Sequence, residues 1–506
     1  MKGKVFIITG LLQGLSSLAF CQGNVTSNIS NSKSELPNII LIISDDLGYG
    51  DIGCYGQKKI ETPNIDRLAA QGILFSQAYS GSAVCAPSRS TLMEGKHTGH
   101  ARVRGNDYKD YRECLQPDDY TIAMMLKKAG YATGLFGKWG LGLHNQYGIP
   151  RRMGFDQFFG YLNQGHAHNY YPEFLWENET KFFLPENGTH HSSPEIYKCE
   201  QPYDENGVCH PLGIKNPSKA SYSLDVYAAR SLEFIRQNSS KPFFLTLAYT
   251  PPHQAFIVPE LGIYNKKDWP LAHKIYAAMI SRMDTEVGKL LDLLTELGID
   301  DNTLILFTSD NGNIAGNAKP GDEPFSQFFN NLSPTRGGKS KILNGAFHVP
   351  AVIRWPKVIS PGQVSDHIWA FWDMMPTLAE ITGVKAPAAT DGISFYPLLK
   401  GDRQNQQSHR FLYWEYNGEQ AVRMGNWFAM RDKKAKLALF DLIVDPGQYN
   451  DLSSAHPEVV NEILKIMKSE HVPSNTWPSP GETEADFSKR LKLAKIPEKP
   501  VNMEIY

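Results

Sequence analysis

The sequence predicts an α/β fold: a large, mixed, mainly parallel sheet sandwiched by helices, followed by a smaller antiparallel sheet with one helix. Two observations carry this. Short continuous apolar runs alternate with helical patterns over about 350 residues, as strands buried on both faces and their covering helices require. Beyond residues 383–390 the pattern changes to short alternating strands split by Asn-Gly turns.

Taken in order, the polar stretch 27–35 is a lead-in and order is expected from Pro37. Residues 38–44, Asn-Ile-Ile-Leu-Ile-Ile-Ser, form the first buried strand, and similar runs recur at 131–136, 243–249, 303–308 and 350–354. Helical patterns fall at 64–71, 121–128, 221–237 and 271–297, and a further one at 366–382. Within 271–297, Ile275, Met279, Met283, Val287, Leu290, Leu291 and Leu294 recur at spacings of three and four, giving one apolar stripe. Further strands are expected at 411–416, 420–424, 427–431 and 438–442, separated by Asn417-Gly418 and Gly425-Asn426, with a helix over 457–470 packed on them. The expected organisation is therefore a main domain at 37–385 and a subdomain at 391–506.

Charge excludes one class of partner. The 51 basic and 53 acidic side chains are interspersed, leaving a net charge of -2, and no basic run tracks phosphates, so no nucleic acid is expected as a partner. Six cysteines in 506 residues exclude a disulfide scaffold. Lys2 and Lys4 followed by an apolar stretch to Phe20 read as a signal peptide over residues 1–21, too short and broken for a stable membrane span. Export to the periplasm or the exterior is the expectation; a lipoprotein through Cys21 is the alternative, although Phe20 suits a lipidation site poorly.

The chemistry lies at the ends of the predicted strands, where open α/β sheets bind ligands. The first strand runs into Asp45-Asp46 and the fourth into Asp310-Asn311-Gly312. If those strands are neighbours, three carboxylates and an amide oxygen converge as a hard, oxygen-rich set suited to calcium or magnesium. Each segment taken alone is equally a turn former.

Cys85 decides between these readings. Cys85-Ala-Pro87-Ser-Arg89 has the pattern Cys-x-Pro-x-Arg, which is recognised by enzymes that convert cysteine to formylglycine. Here the chain resembles the formylglycine-dependent sulfatase family, arylsulfatase-like members of the alkaline phosphatase superfamily. Residues 38–56, Thr62-Pro-Asn-Ile-Asp-Arg67, Gly137-Lys-Trp139, Pro252-His253, Thr308-Ser-Asp-Asn-Gly312, Gly337-Gly-Lys339 and Asp391-Gly-x-Ser394 follow the family's order, over roughly residues 37–451.

The resemblance implies an alkaline-phosphatase-like fold and hydrolysis of a sulfate monoester, most naturally exo-desulfation of a sulfated sugar. It implies that Cys85 is converted to 3-oxoalanine (formylglycine) by a maturation enzyme, and that one calcium is held by Asp45, Asp46, Asp310, Asn311 and the modified Cys85. In the family the hydrated aldehyde attacks sulfur and later expels sulfate by reforming the aldehyde, so release needs no second attack at sulfur. Arg89, four residues beyond Cys85 on one helix face, orients the diol; Lys138 and Lys339 contact the sulfate; His253 protonates the leaving oxygen. Arg104, His166 and His168 are the expected substrate-binding residues, while Tyr170, Tyr171 and Trp176 are open to both a sugar-wall and a packing role. Galactose and N-acetylgalactosamine sulfates are the expected substrates.

One position departs from the pattern. Where the family commonly has Trp-His-Leu-Gly, this chain has Trp139-Gly140-Leu141-Gly142. Either turnover is weakened, or a histidine from Gln164-Gly-His166-Ala-His168-Asn-Tyr-Tyr-Pro172 takes over. The pairing of these two segments resembles a subgroup of bacterial carbohydrate sulfatases, which implies an active, rearranged site. A phosphodiesterase or phosphonate monoester hydrolase of the same fold, and a sulfated-glycan binder without turnover, are the competing readings; the retained Cys85, Pro87 and Arg89 speak against the binder.

Overall fold

The computed structural model of the chain describes residues 36–106, 113–188, 202–214, 216–314, 316, 323–332 and 334–493. The expected leader over residues 1–21, Cys21 included, lies outside them. Among the described residues eleven strands appear before residue 366: β1 Asn38–Asp45, β2 Ile73–Phe75, β3 Ala78–Tyr79, β4 Ala132–Lys138, β5 Gln157–Tyr161, β6 Phe174–Glu177, β7 Thr180–Phe183, β8 Phe243–Pro252, β9 Thr303–Ser309, β10 Ala351–Arg354 and β11 Gln363–Ser365. All but β3 join one sheet in the order β11-β2-β10-β9-β1-β8-β4-β5-β6-β7. Its centre, β9-β1-β8-β4-β5, is parallel throughout, while β10 and β6 attach antiparallel on either side.

The first strand shows why the run is continuously apolar. Ile40 and Ile42 enter the core shared with the helices Ser223–Asn238 and Leu271–Glu296. Ile39, Leu41 and Ile43 enter the opposite core, shared with Ile122–Lys128 and Met374–Thr382. Successive side chains alternate between faces, and both faces are dry. Among the described residues no helix is long and apolar enough to cross a membrane.

The expected helix at 366–382 is shorter. Residues Trp369–Ala370 form β12, paired with β3, and the α-helix begins only at Met374. Asp373 explains the break: its carboxylate accepts the Ala370 and Ile393 N–H groups, each at 2.8 Å, and meets His409 Nε2 at 2.7 Å. That tertiary clamp overrides the helical periodicity. The short strands β2, β3, β5 to β7, β11 and β12 escape periodicity because each has too few residues to display one.

The second sheet comprises β13 Leu412–Tyr416, β14 Glu419–Met424, β15 Trp427–Arg431 and β16 Leu437–Asp441, antiparallel in sequence order. Asn417 and Gly418 both take positive φ, 52° and 81°, as the tight first hairpin requires. Helix Pro457–Ser469 lays Ile463, Ile466 and Met467 on Tyr413, Val422, Ala429 and Leu439.

Beyond that helix the chain returns to the large sheet's domain. Thr476 Oγ1 and Trp477 Nε1 both donate to Glu113 Oε2, at 2.5 and 2.6 Å. Burial pushes the Glu113 carboxyl up to about 7 even against these donors. Its protonated form is therefore the one the fold favours. The stabilisation is complete below the ordinary glutamate range and is lost as pH rises through about 7. Glu113→Gln, which mimics the protonated acid, is expected to match wild-type stability at pH 5 and exceed it at pH 8 by about 2 kcal/mol. Thermal unfolding at the two pH values checks this; equal pH slopes for both proteins would contradict it.

Candidate active site at the strand ends

Four adjacent parallel strands, β9, β1, β8 and β4, bring their carboxyl ends side by side. Asp45 is the last residue of β1 and Asp46 follows it with φ 65°; Asp310 and Asn311 follow β9; His253 follows β8; Lys138 is the last residue of β4. The close approach of β4 to β8 depends on Gly137, where a Cβ would lie 2.0 Å from the Ala248 carbonyl oxygen. Helix Cys85–Glu94 is buried along its whole length and adds Cys85 and Arg89, one turn apart on the same face. Lys339 enters from a loop whose backbone is tied to β9's extension, its N–H donating to Asn313 O at 2.9 Å.

These side chains form one interlocked set. Lys138 Nζ lies 2.5 Å from Asp45 Oδ2, and Cys85 Sγ lies 3.4 Å from Asp45 Oδ1. Lys339 Nζ bridges Asp46 Oδ2 at 2.8 Å and Cys85 Sγ at 3.5 Å. Arg89 donates through Nε and Nη2 to Asp310 Oδ2, at 3.0 and 2.8 Å, and through Nη1 to the Lys138 carbonyl at 2.6 Å. His253 Nε2 stands 3.4 Å from Asp46 Oδ2, while its Nδ1 bonds the Gln254 carbonyl. A carbonyl can only accept, so the proton sits on Nδ1 and Nε2 is the ring atom presented to the site.

Burial acts on every group, and the neighbours decide the outcome. Burial would raise Asp45, but the Lys138, Arg89 and Lys339 cations together hold it well below the carboxylate range. Burial leaves Asp46 raised despite Lys339, and burial with the Asp45 charge pushes Asp310 up to about 7. The Cys85 thiol is pushed up to about 12 by burial and by Asp45. Burial, with the Lys339 and Lys138 cations, holds His253 well below the histidine range. Three carboxylates, Asp45, Asp46 and Asp310, thus face three cations, Arg89, Lys138 and Lys339.

The donor set fits a hard divalent cation. Asn311 Nδ2 is spent on Asp46 Oδ1 and the Gly312 carbonyl, at 2.7 and 2.8 Å, which leaves Oδ1 buried with no partner. An orphaned amide oxygen among three carboxylates is what an oxygen-coordinated cation would satisfy. Ligand atoms of Asp45, Asp46, Cys85 and His253 also lie within 4.8 Å of one another. Adding a divalent cation to the balanced set gives a local charge of about +2, which favours an anionic ligand.

The remaining expected residues divide. His168 reaches the set, its ring stacked on His253 at 4.3 Å between centroids, and burial with the neighbouring Lys138 and Lys339 charges pushes it down to about 2. His166 does not match the substrate-binding expectation: it is 1% exposed and packed between Tyr161 and Phe174. Arg104 is likewise committed elsewhere, to Glu415 Oε1 at 2.6 Å. Tyr170, Tyr171 and Trp176 are buried and take the packing role. Sequence reading missed Asn106, whose Oδ1 accepts the Ala86 N–H at 3.0 Å; its only signal is its place two residues beyond Arg104.

Gly140 is explained by its neighbour. It has φ 84°, and a Cβ there would lie 2.7 Å from Gln164 Nε2, which donates to the Gly140 carbonyl at 2.8 Å. The Gln164 side chain occupies the space that a side chain at 140 would need. Gly140→His is therefore expected to lower kcat/KM at least about tenfold, because it imposes left-handed strain of about 1–2 kcal/mol and displaces Gln164. Steady-state kinetics check this, and a gain in activity would show that the position is a simple deficit.

Comparison with known proteins gives concordant matches. A family model described as Sulfatase matches residues 37–384, and one described as N-sulphoglucosamine sulphohydrolase, C-terminal, matches residues 338–477. The N-acetylgalactosamine-6-O-sulfatase of Bacteroides thetaiotaomicron is 27% identical, over 91% of this chain and 98% of that protein. The N-acetylgalactosamine-6-sulfatase of Rattus norvegicus is 31% identical, over 78% of this chain and 71% of its own length. The crystal structure of Ps i-CgsB in complex with k-i-k-neocarrahexaose superposes with a TM-score of 0.72 at 26% identity, over 92% of this chain and 98% of that one.

Proposed function

The chain belongs to the sulfatase family, and from that premise we propose that it removes sulfate from a sulfated sugar, with N-acetylgalactosamine or galactose sulfates as the leading substrates. The observation that carries this reading is the convergence of Cys85, three cations and an oxygen-rich cation site at four neighbouring strand ends. On the same reading, residues 37–385 form the catalytic domain, residues 391–506 a subdomain that buttresses it, and residues 1–21 a leader for export.

Each residue has a task that its geometry supports. Residue 85, as a formylglycine, would present a hydrated aldehyde as nucleophile where burial and Asp45 push the thiol up to about 12 and disfavour the thiolate. Asp45, Asp46, Asp310 and Asn311 would hold calcium, which supplies Lewis-acid polarisation of a sulfate oxygen. Arg89, fixed by Asp310 and the Lys138 carbonyl, orients the nucleophile. Lys339 and Lys138 stand close enough to residue 85 and Asp45 to neutralise the sulfate oxygens. His253 presents Nε2 to the leaving oxygen as the proton carrier. Burial, and after it the Lys339 and Lys138 cations, holds it well below the histidine range in the free protein, and an incoming sulfate would offset the cations' share. His168, stacked on His253, fixes that ring and reads the sugar beside it.

Peptide mass spectrometry around Cys85, paired with sulfate release from a panel of monosulfated sugars, tests the proposal. Modified Cys85 with release from 6-sulfated N-acetylgalactosamine or a galactose sulfate is expected. Modified protein that cleaves a phenylphosphonate ester and no sulfated sugar would overturn it.

A further inference from the structure

The nucleophile's helix is held by a residue outside the strand-end cluster. Val84, at the N-cap of helix Cys85–Glu94, contributes no side-chain cap. Asn106 Oδ1 instead accepts the Ala86 N–H at 3.0 Å, satisfying one of the free donors of the first turn, where residue 85 sits.

The segment 97–106, which ends at Asn106, is covered by the C-terminal part of the chain. Glu415 N–H donates to Thr98 Oγ1 at 2.7 Å, and Val472 N–H to the Gly99 carbonyl at 3.3 Å. Arg104 Nη1 donates to both Glu415 Oε1 and the Val472 carbonyl at 2.6 Å. The Trp477 ring lies on Gly105, where a Cβ would come within 2.5 Å of it. His97 accepts the Gly99 N–H on Nδ1 at 3.2 Å, so its proton is on Nε2, 3.3 Å from Glu470 Oε2. Both ring nitrogens are thereby committed to hydrogen bonds, and the group His97, His100, Asp391 and Glu470 is a joint between the two parts of the chain.

We propose that Asn106 is a positioning residue for residue 85, and that the C-terminal segment 470–477 clamps it in place through Arg104 and Gly105. This rests on the reading of residue 85 as the nucleophile. It gives the C-terminal segment a part in turnover, exerted through the first turn of the Cys85 helix. Loss of the Asn106 acceptor frees the Ala86 N–H and lets the turn that carries residue 85 shift, and a displacement of about 1 Å at a reacting group lowers the rate about a hundredfold.

Asn106→Ala, Asn106→Asp, Trp477→Ala and the Asn106→Ala/Trp477→Ala double variant test this in the full-length protein. Amide hydrogen exchange of residues 85–88 reads the turn independently of turnover; kcat and KM are measured on 4-nitrophenyl sulfate and N-acetylgalactosamine 6-sulfate. Asn106→Ala is expected to speed exchange about tenfold and lower kcat about 10- to 100-fold with KM changed less than about threefold. Asn106→Asp, which still accepts the Ala86 N–H, should restore both. Trp477→Ala should act in the same direction, and the double variant should be no worse than Asn106→Ala. Wild-type exchange and kcat in Asn106→Ala, or no recovery with aspartate, would overturn the positioning role. Additive losses in the double variant would overturn the clamp. If the wild-type protein turns over neither ester, the proposed function falls, while exchange still decides the positioning.

Discussion

Cys85→Ala is expected to abolish sulfate release, by about ten-thousand-fold or more in kcat, while leaving the fold intact. Burial and the Asp45 carboxylate 3.4 Å away push the thiol up to about 12, which disfavours the thiolate. On the proposed reading the nucleophile is a formylglycine made by oxidation of this side chain, for which Cys85-Ala-Pro87-Ser-Arg89 has the pattern. The substitution removes one small polar group from the first turn of a helix and leaves only a small void, which costs at most about 1 kcal/mol. Asp45 keeps Lys138 and Asp46 keeps Lys339. Unchanged thermal unfolding with undetectable sulfate release is therefore the expected result. Near-normal turnover in this variant would remove residue 85 from the chemistry.

Why the site was legible in the sequence follows from where its residues stand. Asp45, Lys138, His253 and Asp310 lie at or just beyond the ends of long buried strands, and runs such as Asn-Ile-Ile-Leu-Ile-Ile-Ser at 38–44 announce such strands directly. What the runs could not supply was their order. Adjacency of β9, β1, β8 and β4 arises from packing between segments up to 265 residues apart, as the Ser309 Oγ contact to the Ser44 carbonyl illustrates. Family resemblance bridged that gap. It gives no side-chain directions where these depend on tertiary neighbours: His166 and His168 are two residues apart in one 3-10 turn, yet one packs against Phe174 and the other against His253. Arg104, expected to bind substrate, likewise donates to Glu415, 311 residues away, a pairing no local pattern displays.

Asp45→Ala is the second large effect, and it separates the site's role in folding from its role in chemistry. Lys138 Nζ is 2.5 Å from Asp45 and its side chain is fully buried; Arg89 Nη2 is 4.0 Å away. Removing the carboxylate leaves three cations facing two carboxylates in a dry site. Stranding a buried charge in this way costs about 3–5 kcal/mol, so the melting temperature should fall by several degrees. Turnover should fall at least about a thousandfold, since the cation site loses an oxygen donor and Lys138 loses its anchor. Adding Lys138→Met removes the stranded charge and is expected to recover most of the lost stability with no recovery of turnover. Chelation of wild-type protein should give the complementary result, loss of turnover with calcium restoring it and with the Asp45–Lys138 pair still in place. The two results together would separate the pair's contribution to folding from the oxygen set's contribution to catalysis, in both of which Asp45 takes part. If Asp45→Ala unfolds no more easily than wild type, the buried ion pair does not carry the structural load its geometry indicates; if the double variant regains turnover, Asp45 acts only by balancing Lys138, and the cation must be held by Asp46, Asp310 and Asn311 alone.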